Sequence, residues 1–136
     1  MTPKHHIVFL TGAGISQESG ISTFRDANGL WNNHKLEEVA SPEGFEKNPQ
    51  LVLDFYNARR RQLDEVNPNA AHRLIAQLET KYSVTVLTQN IDDLHERAGS
   101  TNVLHLHGEL KKSRSSKNPN LISDCTHDIK LGELAS

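Results

Sequence analysis

Three short apolar runs stand out along a mostly polar chain, at residues 7–10, 84–87 and 103–106. None of them alternates strictly between apolar and polar residues, which is typical of strands covered on both faces, as in a parallel sheet. Each run is also too short to cross a bilayer or to form the apolar part of a signal peptide. The pattern therefore predicts three buried strands, and we expect no membrane-spanning segment.

Amphipathic stretches between these runs predict helices over residues 49–66, 69–81 and 92–98. The first begins with a proline, and its apolar residues recur at helical spacing. The last is followed by Gly99, a common helix stop. Strands that alternate with helices predict an α/β fold.

The remaining stretches carry weaker signals. Residues 26–49 are mixed in character and predict a loop-rich insertion over the carboxyl edge of the sheet, and the chain beyond Leu110 is polar without clear periodicity. Three strands are few for a doubly wound nucleotide-binding sheet. We therefore expect the N-terminal part of a larger Rossmann-like domain. Its sheet would lie in residues 1–33 and 83–110, with a helical segment at 34–82.

Composition narrows the choice of partners and compartment. The 136 residues carry a net charge of -2, which gives no reason to expect nucleic acid or an anionic membrane as a partner. A single cysteine, Cys125, excludes an internal disulfide framework and is typical of a reducing compartment. We expect a cytoplasmic protein that binds neither nucleic acid nor membranes.

The first apolar run leads directly into residues 12–16, Gly-Ala-Gly-Ile-Ser. Glycines let a backbone approach a pyrophosphate closely, and free N–H groups at a helix start attract an anion. However, Gln17 stands where the dinucleotide fingerprint has its third glycine, and tight turns also use glycine for steric reasons alone. These residues by themselves leave both a nucleotide site and a simple turn open.

The second run ends in residues 88–93, Thr-Gln-Asn-Ile-Asp-Asp. Ligands of open α/β sheets bind outside the carboxyl ends of the strands, so these polar side chains are well placed for binding. Alternatively, Asn90 or Asp92 simply caps the helix that follows. A cap does not exclude contact with a ligand.

The third run ends in residues 105–109, His-Leu-His-Gly-Glu. His105 and His107 share one face of a strand and could hold a metal, although Cys125 and His127 would complete a poor ligand set. His107 could instead be a general base at the end of the strand, because imidazole suits proton transfer near neutral pH. A histidine with neither role is the third alternative.

Two further pairs have a structural as well as a functional interpretation. Phe24 and Arg25 follow the glycine turn, where they could shield and orient a cofactor, but packing and surface ion pairing more often explain such residues. Tyr56 and Arg59 are three residues apart and share a helix face. On position alone, they are an aromatic residue at the rim of the core and a solvated arginine.

Together these motifs resemble the sirtuins, the NAD-dependent protein lysine deacylases. The matching segments, in the order of the family, are residues 12–16, 20–25 (Gly-Ile-Ser-Thr-Phe-Arg), 88–92 and 106–109 (Leu-His-Gly-Glu). Tyr56 and Arg59 resemble the Tyr-x-x-Arg pair of the branch that removes succinyl, malonyl and related acidic acyl groups. A guanidinium fork and a phenol can jointly hold the carboxylate of such a group.

The resemblance implies an enzyme that acts on acylated lysine in protein substrates and releases nicotinamide and O-acyl-ADP-ribose. Desuccinylation or demalonylation is the implied activity, with deacetylation left open. Two other interpretations remain: a mono-ADP-ribosyltransferase that uses the same pocket, and an inactive remnant or binding module. The carboxylate-binding pair argues against the transferase, which has no need of it.

The resemblance also implies roles for individual residues. Residues 12–16 would line the pyrophosphate and ribose, Phe24 would cover the nicotinamide and Arg25 would help to place it. Within 89–92, the first two residues would contact ribose and an ordered water, and the last would hold the carboxamide. The implied cofactor-binding residues are Gly12, Ala13, Gly14, Ser16, Phe24, Arg25, Gln89, Asn90, Ile91, Asp92 and His107. The implied catalytic residues are His107 as the base that activates a ribose hydroxyl, with Asn90 and Asp92, and the implied substrate-binding residues are Tyr56 and Arg59.

The chain departs from the family pattern in two ways. Ser115, eight residues after His107, stands where many sirtuins carry the first of four zinc-binding cysteines, and residues 113–136 offer only Cys125. The resemblance implies that residues 111–136 form the start of the family's small zinc-binding module, and we expect no zinc there. Nothing corresponds to the family's later strands, so we expect a catalytic domain truncated after the His-Gly-Glu motif that is poorly stable or inactive on its own.

Overall fold

The computed structural model describes residues 4–23, 30–31 and 33–133. The strands in chain order are β1 (His6–Thr11), β2 (Leu30–Trp31), β3 (His34–Lys35), β4 (Ser83–Thr88), β5 (Val103–His105), β6 (Lys112–Arg114) and β7 (Ile122–Asp124). The helices are α1 (Gly14–Gln17), α2 (Leu36–Val39), α3 (Pro42–Lys47), α4 (Pro49–Glu65), α5 (Ala70–Gln77) and α6 (Leu94–Arg97), with a 3-10 turn at Leu78–Thr80.

The chain divides into two compact units. The first, which we call the sheet unit, comprises Met1–Ile21 and Val66–Glu109. The second, the helical unit, comprises Ser22–Glu65 and Leu110–Ser136. None of the helices in the described ranges is long and apolar enough to cross a membrane.

A three-stranded parallel sheet of order β1-β4-β5 forms the centre of the sheet unit. Leu10, Leu87 and Leu104 lie side by side across it. The three strands coincide with the predicted apolar runs to within two residues at each end. Parallel neighbours need a crossover connection, and the helices between these strands provide it.

One face of this sheet carries the core of the unit. Ile75 of α5 packs with Val84 and Val86 of β4, and five partly buried hydrophobic residues surround them. On the opposite face Val8 and Leu10 are 55% and 67% exposed among the described residues. The prediction that both faces are covered is therefore wrong for this part of the chain. Successive strand residues point to opposite faces of the sheet, and here one face is packed and the other is open although both carry apolar residues.

The helix α5 belongs to the sheet unit, whereas the sequence-based division grouped residues 66–82 with the helical segment. Its first turn is capped reciprocally, because the Asn69 side chain accepts from the Ala71 N–H and His72 Nδ1 accepts from the Asn69 N–H. The Asn69 amide also donates to the Ile15 carbonyl at 2.7 Å. These bonds fasten α5 to the glycine turn.

The helical unit contains α4 and, within the stretch predicted to be loop-rich, two short helices and the β2–β3 hairpin. Ser41 caps α3 by accepting from the Gly44 N–H at 2.9 Å. A Cβ at Gly44 would lie only 2.5 Å from the Glu38 carbonyl oxygen, so this glycine permits close packing of α3 on α2. Helices of four and six residues are too short to show a reliable hydrophobic period.

The polar segment beyond Leu110, which the sequence left without structure, forms the antiparallel β6–β7 hairpin. Two buried residues of α4 hold this segment in place. Arg60 Nε donates to the Leu110 carbonyl at 2.8 Å and its Nη1 donates to Asn57 Oδ1. The Asn57 amide exchanges two 2.8 Å hydrogen bonds with the backbone of Ile129. Hydrogen bonds from side chains to a distant backbone leave no trace in hydrophobic periodicity.

Candidate functional site

The candidate site lies at the carboxyl edge of the sheet unit. The glycine turn of residues 12–16 follows β1, the loop of residues 89–92 follows β4, and residues 106–109 follow β5. Because the three strands are parallel, their carboxyl ends meet at one edge. Three of the four sequence motifs therefore come together in the fold.

Two glycines of the turn have no structural explanation among the described residues. Neither Gly12 nor Gly14 has a positive φ, in contrast to Gly20 and Gly99. A Cβ added at Gly14 would meet nothing within 4 Å, and one at Gly12 would meet only Gln89 Oε1 at 3.7 Å. Since neither backbone strain nor packing requires glycine here, the open space in front of the turn suits the close approach of a ligand.

Asn90 connects the glycine turn to the loop after β4. Its Nδ2 donates to the Gly12 carbonyl at 3.0 Å and lies 3.4 Å from Ser16 Oγ. Its backbone N–H donates to Thr88 Oγ1. The side chain is buried, so these bonds set the separation between the two segments.

Asp92 bonds both to the start of α6 and to the glycine turn. Its Oδ1 accepts from the Leu94 N–H at 3.1 Å, at the start of α6, and its Oδ2 accepts from Ser16 Oγ at 2.8 Å. The bond to the Leu94 N–H does not exclude contact with a ligand, so a binding role of Asp92 stays a prediction. Each carboxylate oxygen can accept a second hydrogen bond, so the group can still bind a ligand.

His72 extends this network, and sequence reasoning missed it. Its Nδ1 accepts from the Asn69 N–H, so in the neutral ring Nε2 carries the proton and points toward Ser16 Oγ at 3.5 Å. Burial lowers the pKa of His72, against the opposing charge of Asp92, which keeps the ring neutral. No sequence signal marks this residue, because its contact with Ser16 spans 56 positions.

A second buried histidine, His95, lies against His72 with the ring centroids 4.9 Å apart. Its Nε2 is 3.0 Å from Thr11 Oγ1, and its Nδ1 has no hydrogen-bond partner in the part of the chain that the structure describes. Burial and then the neighbouring His72 lower the pKa of His95. His72 and His95 therefore form a neutral pair that contacts Ser16 of the glycine turn and Thr11 of β1.

The two histidines predicted on one face of β5 bind different backbone carbonyls. His107 Nδ1 donates to the Gln89 carbonyl at 3.1 Å. Because a carbonyl oxygen can only accept, the neutral His107 ring has its free lone pair on Nε2. His105 Nδ1 donates to the Asn90 carbonyl at 2.8 Å. Within residues 4–23, 30–31 and 33–133, no three His, Cys, Asp or Glu residues are arranged to hold a metal ion.

Tyr56 and Arg59 lie in the helical unit within an aromatic cluster. The rings of Trp31 and Phe55 are 4.8 Å apart and those of Phe55 and Tyr56 are 5.2 Å apart, each pair edge to face. The Arg59 guanidinium carbon lies 5.5 Å from the Phe55 ring centroid. Arg59 Nε is buried and has no hydrogen-bond partner among the described residues, and burial lowers the pKa of the guanidinium. The helix therefore presents a desolvated cationic donor beside aromatic rings.

Three further positions named from the sequence are Phe24, Arg25 and Ser115. Phe24 and Arg25 lie outside the described residues. The Ser115 hydroxyl accepts from the N–H groups of Lys117 and Asn118, at 3.2 and 3.1 Å, and so belongs to a local turn next to β6.

Residues 12–131 match the sequence profile of the Sir2 family. The chain belongs to the Sir2 family. It is 63% identical over 130 residues to a Helicobacter pylori protein named "NAD-dependent protein deacylase", an alignment that covers 96% of this chain and 57% of that protein. A Bacteroides thetaiotaomicron protein of the same name is 55% identical, over 96% of this chain and 58% of its own length. The chain thus spans a little over half the length of these relatives.

Solved structures of Sir2 homologues have the same fold. One in complex with NAD matches with a TM-score of 0.81 and 43% identity, over 98% of this chain and 52% of that one. Another, a mutant in complex with ADP-ribose, matches with a TM-score of 0.84 and 42% identity, over 98% and 53% of the two chains. The predictions of sirtuin membership and of a partial Rossmann-like α/β fold are confirmed.

Proposed function

We propose that this Sir2 chain supplies the NAD-binding and acyl-binding side chains of an NAD-dependent protein lysine deacylase. The observation that carries the proposal is the buried Ser16–Asp92–Asn90 network beside two glycines that the described fold does not need. The names of the Helicobacter pylori and Bacteroides thetaiotaomicron relatives, and the NAD and ADP-ribose complexes of the structural neighbours, support it.

The residues at the carboxyl edge of the sheet suit the parts of NAD. The open space at Gly12 and Gly14 gives the pyrophosphate room to approach, and Ala13 and Ser16 belong to the same turn. Gln89, Asn90 and Ile91 would face the ribose. Asp92 would accept from the nicotinamide carboxamide, for which its oxygens keep free lone pairs. Phe24 and Arg25 would complete the nicotinamide end.

The chemistry requires one base in this chain. When bound, NAD would supply a ribose carbon that nicotinamide can leave and that the acyl oxygen of the lysine can attack. His107 is held through Nδ1 by the Gln89 carbonyl, so its Nε2 is free to take the proton of a ribose hydroxyl. Asn90 and Asp92 orient the reacting end. One water is consumed to release the lysine amine, and the products are free lysine, nicotinamide and O-acyl-ADP-ribose.

The acyl group that best fits the helical unit is acidic, such as succinyl or malonyl. The buried Arg59 Nε donor lacks a partner among the described residues, and burial raises the pKa of Tyr56, so its phenol keeps the proton needed for donation. An acyl carboxylate would satisfy both donors, whereas an acetyl group would leave them unpaired.

We also propose that residues 111–133 work without zinc, since Cys125 is the one cysteine of the chain and the Ser115 hydroxyl belongs to a local turn.

Calorimetric titration of the chain with NAD tests the cofactor site. We expect saturable binding that Asn90→Ala weakens by about 10-fold or more, since it removes buried hydrogen bonds. Asn102→Ala is the matched control, because Asn102 lies at the amino end of β5 and bonds to Thr85. No binding of NAD by the unsubstituted chain would refute the cofactor site.

A further inference from the structure

The proposed chemistry leaves His105 without a role, although its side chain is only 6% exposed at the end of β5. Its Nδ1 lies 2.8 Å from the Asn90 carbonyl oxygen and its Nε2 lies 2.6 Å from Glu96 Oε1. A carbonyl and an ionised carboxylate can only accept hydrogen bonds. Both ring nitrogens of His105 therefore donate, and the ring is an imidazolium.

We propose that His105 is a positioning residue that holds the loop of residues 89–92 in its NAD-binding conformation, by joining the Asn90 carbonyl to the Glu96 carboxylate. The inference rests on the NAD site proposed above. It concerns a residue that touches neither the cofactor nor the substrate and acts through the backbone of Asn90.

Residues at the end of β5 and just after it donate hydrogen bonds to three successive backbone carbonyls, which begin at the last residue of β4. The Thr88 carbonyl accepts from the Leu106 N–H at 2.9 Å, the Gln89 carbonyl accepts from His107, and the Asn90 carbonyl accepts from His105. The bond from His105 fixes the peptide plane between Asn90 and the following residue. That plane sets the directions of the Asn90 amide, which reaches Gly12, and of the chain leading to Asp92.

Charges around His105 favour its protonated form. The facing groups are Glu96 on α6 at 2.6 Å, Glu109 after β5 at 3.8 Å, and the neutral His95 on α6. Burial alone would lower the pKa of His105, but the hydrogen bonds to Glu96 and Asn90 and the charges of the two glutamates raise it to about 9. Above this pH, His105 loses a proton and with it one of its two hydrogen-bond donors. The attachment of His105 to the loop of residues 89–92 therefore depends on pH.

Three variants separate positioning from a merely structural role. His105→Ala removes both bonds, and we expect it to weaken NAD binding by about 10-fold to 100-fold. His105→Asn keeps a donor near the position of Nδ1 but cannot reach Glu96, so it should restore part of the affinity and abolish its pH dependence. Glu96→Gln keeps the hydrogen bond but removes the charge, so the alkaline loss of NAD affinity should move to lower pH.

The measurement is the NAD dissociation constant by calorimetry between pH 6.5 and 10, with circular dichroism to establish that each variant is folded. His6→Ala is the control, because His6 lies at the amino end of β1 and bonds to Thr85. If His105→Ala does not fold, the pH midpoint of folded Glu96→Gln decides the question. Affinity within twofold of wild type in His105→Ala, or an unchanged midpoint in Glu96→Gln, would overturn the positioning role alone. Failure of the unsubstituted chain to bind NAD would overturn the proposed cofactor site and this inference together.

Discussion

The Ser16 hydroxyl donates a 2.8 Å hydrogen bond to the Asp92 carboxylate across 76 positions of the sequence. Both residues are buried. The bond joins the glycine turn after β1, which we propose binds the pyrophosphate, to the loop after β4, which we propose binds the ribose and the nicotinamide. The two segments therefore form one hydrogen-bonded network. A disturbance of either residue should therefore affect binding and stability together.

Ser16→Ala should weaken NAD binding by about 10-fold and lower the free energy of unfolding by about 1–3 kcal/mol, because it leaves the buried Asp92 carboxylate with one hydrogen bond fewer. Calorimetry with NAD and thermal denaturation measure the two effects. Ser100→Ala is a matched control in the same unit, since the buried Ser100 Oγ has no partner among the described residues and its removal should not destabilise the fold. Equal effects of the two substitutions would refute the role of Ser16.

His107→Ala should greatly reduce the rate of deacylation and leave NAD binding nearly unchanged. Loss of a general base costs about 100-fold to 10,000-fold in rate. A suitable enzyme is a chimera in which this chain replaces the matching 57% of the Helicobacter pylori relative. Mass spectrometry of O-acyl-ADP-ribose formed from a succinyl-lysine peptide measures turnover. If the chimera turns over and His107→Ala retains its rate, His107 is not the base.

Arg59→Met in the same chimera should reduce kcat/KM for succinyl-lysine peptides about 10-fold more than for acetyl-lysine peptides, because only the succinyl group carries an anion for the guanidinium to pair with. Arg61→Met is the control, since the exposed Arg61 pairs with Asp128. An equal loss with both peptides would show that Arg59 is structural, and the acidic-acyl preference would then fail.

The stability of the sheet unit should be greatest near pH 6.5, the ordinary pKa of imidazole. The pKa of His105 is raised to about 9 in the fold, so its contribution is complete below 6.5 and is lost as the pH rises through 9. The pKa values of His72 and His95 are lowered, so their contribution is complete above 6.5 and is lost as the pH falls below it.

Thermal denaturation across pH 5 to 10 measures this profile. His105→Asn should flatten its alkaline side, and His95→Gln, which cannot be protonated but can still bond to Thr11, should flatten its acid side. A melting temperature that is constant from pH 6.5 to 9.5 would contradict the assignment of a charged His105.

Asn57→Ala should loosen residues 110–133 and lower the free energy of unfolding by about 1–3 kcal/mol. The substitution leaves the backbone groups of Ile129 and one donor of the buried Arg60 without their hydrogen-bond partner. Hydrogen exchange should become faster in this segment.

A metal chelator should leave the melting temperature of the unsubstituted chain unchanged. A drop on chelation would show that a metal, rather than the contacts of α4, stabilises the segment.

Much of the sheet unit could be predicted because its signals are local. The apolar runs became β1, β4 and β5, and Gly99 does follow the helix predicted before it. The β6–β7 hairpin could not be predicted, since it contains few apolar residues and is held by Arg60 and Asn57 from a helix about 50 to 70 positions away. The open face of the sheet was also missed, because an apolar residue looks the same in sequence whether or not something covers it.

By itself the sequence determined the order of strands and helices, the Sir2 motifs and the residue types available for chemistry, because these depend on neighbours along the chain. Only the tertiary structure decided which polar groups meet inside it. The contacts of Ser16 with His72 and Asp92, and of His105 with Asn90 and Glu96, arise when parallel strands bring their carboxyl ends to one edge. Burial at that edge then makes each pairing costly to lose, which no local pattern encodes.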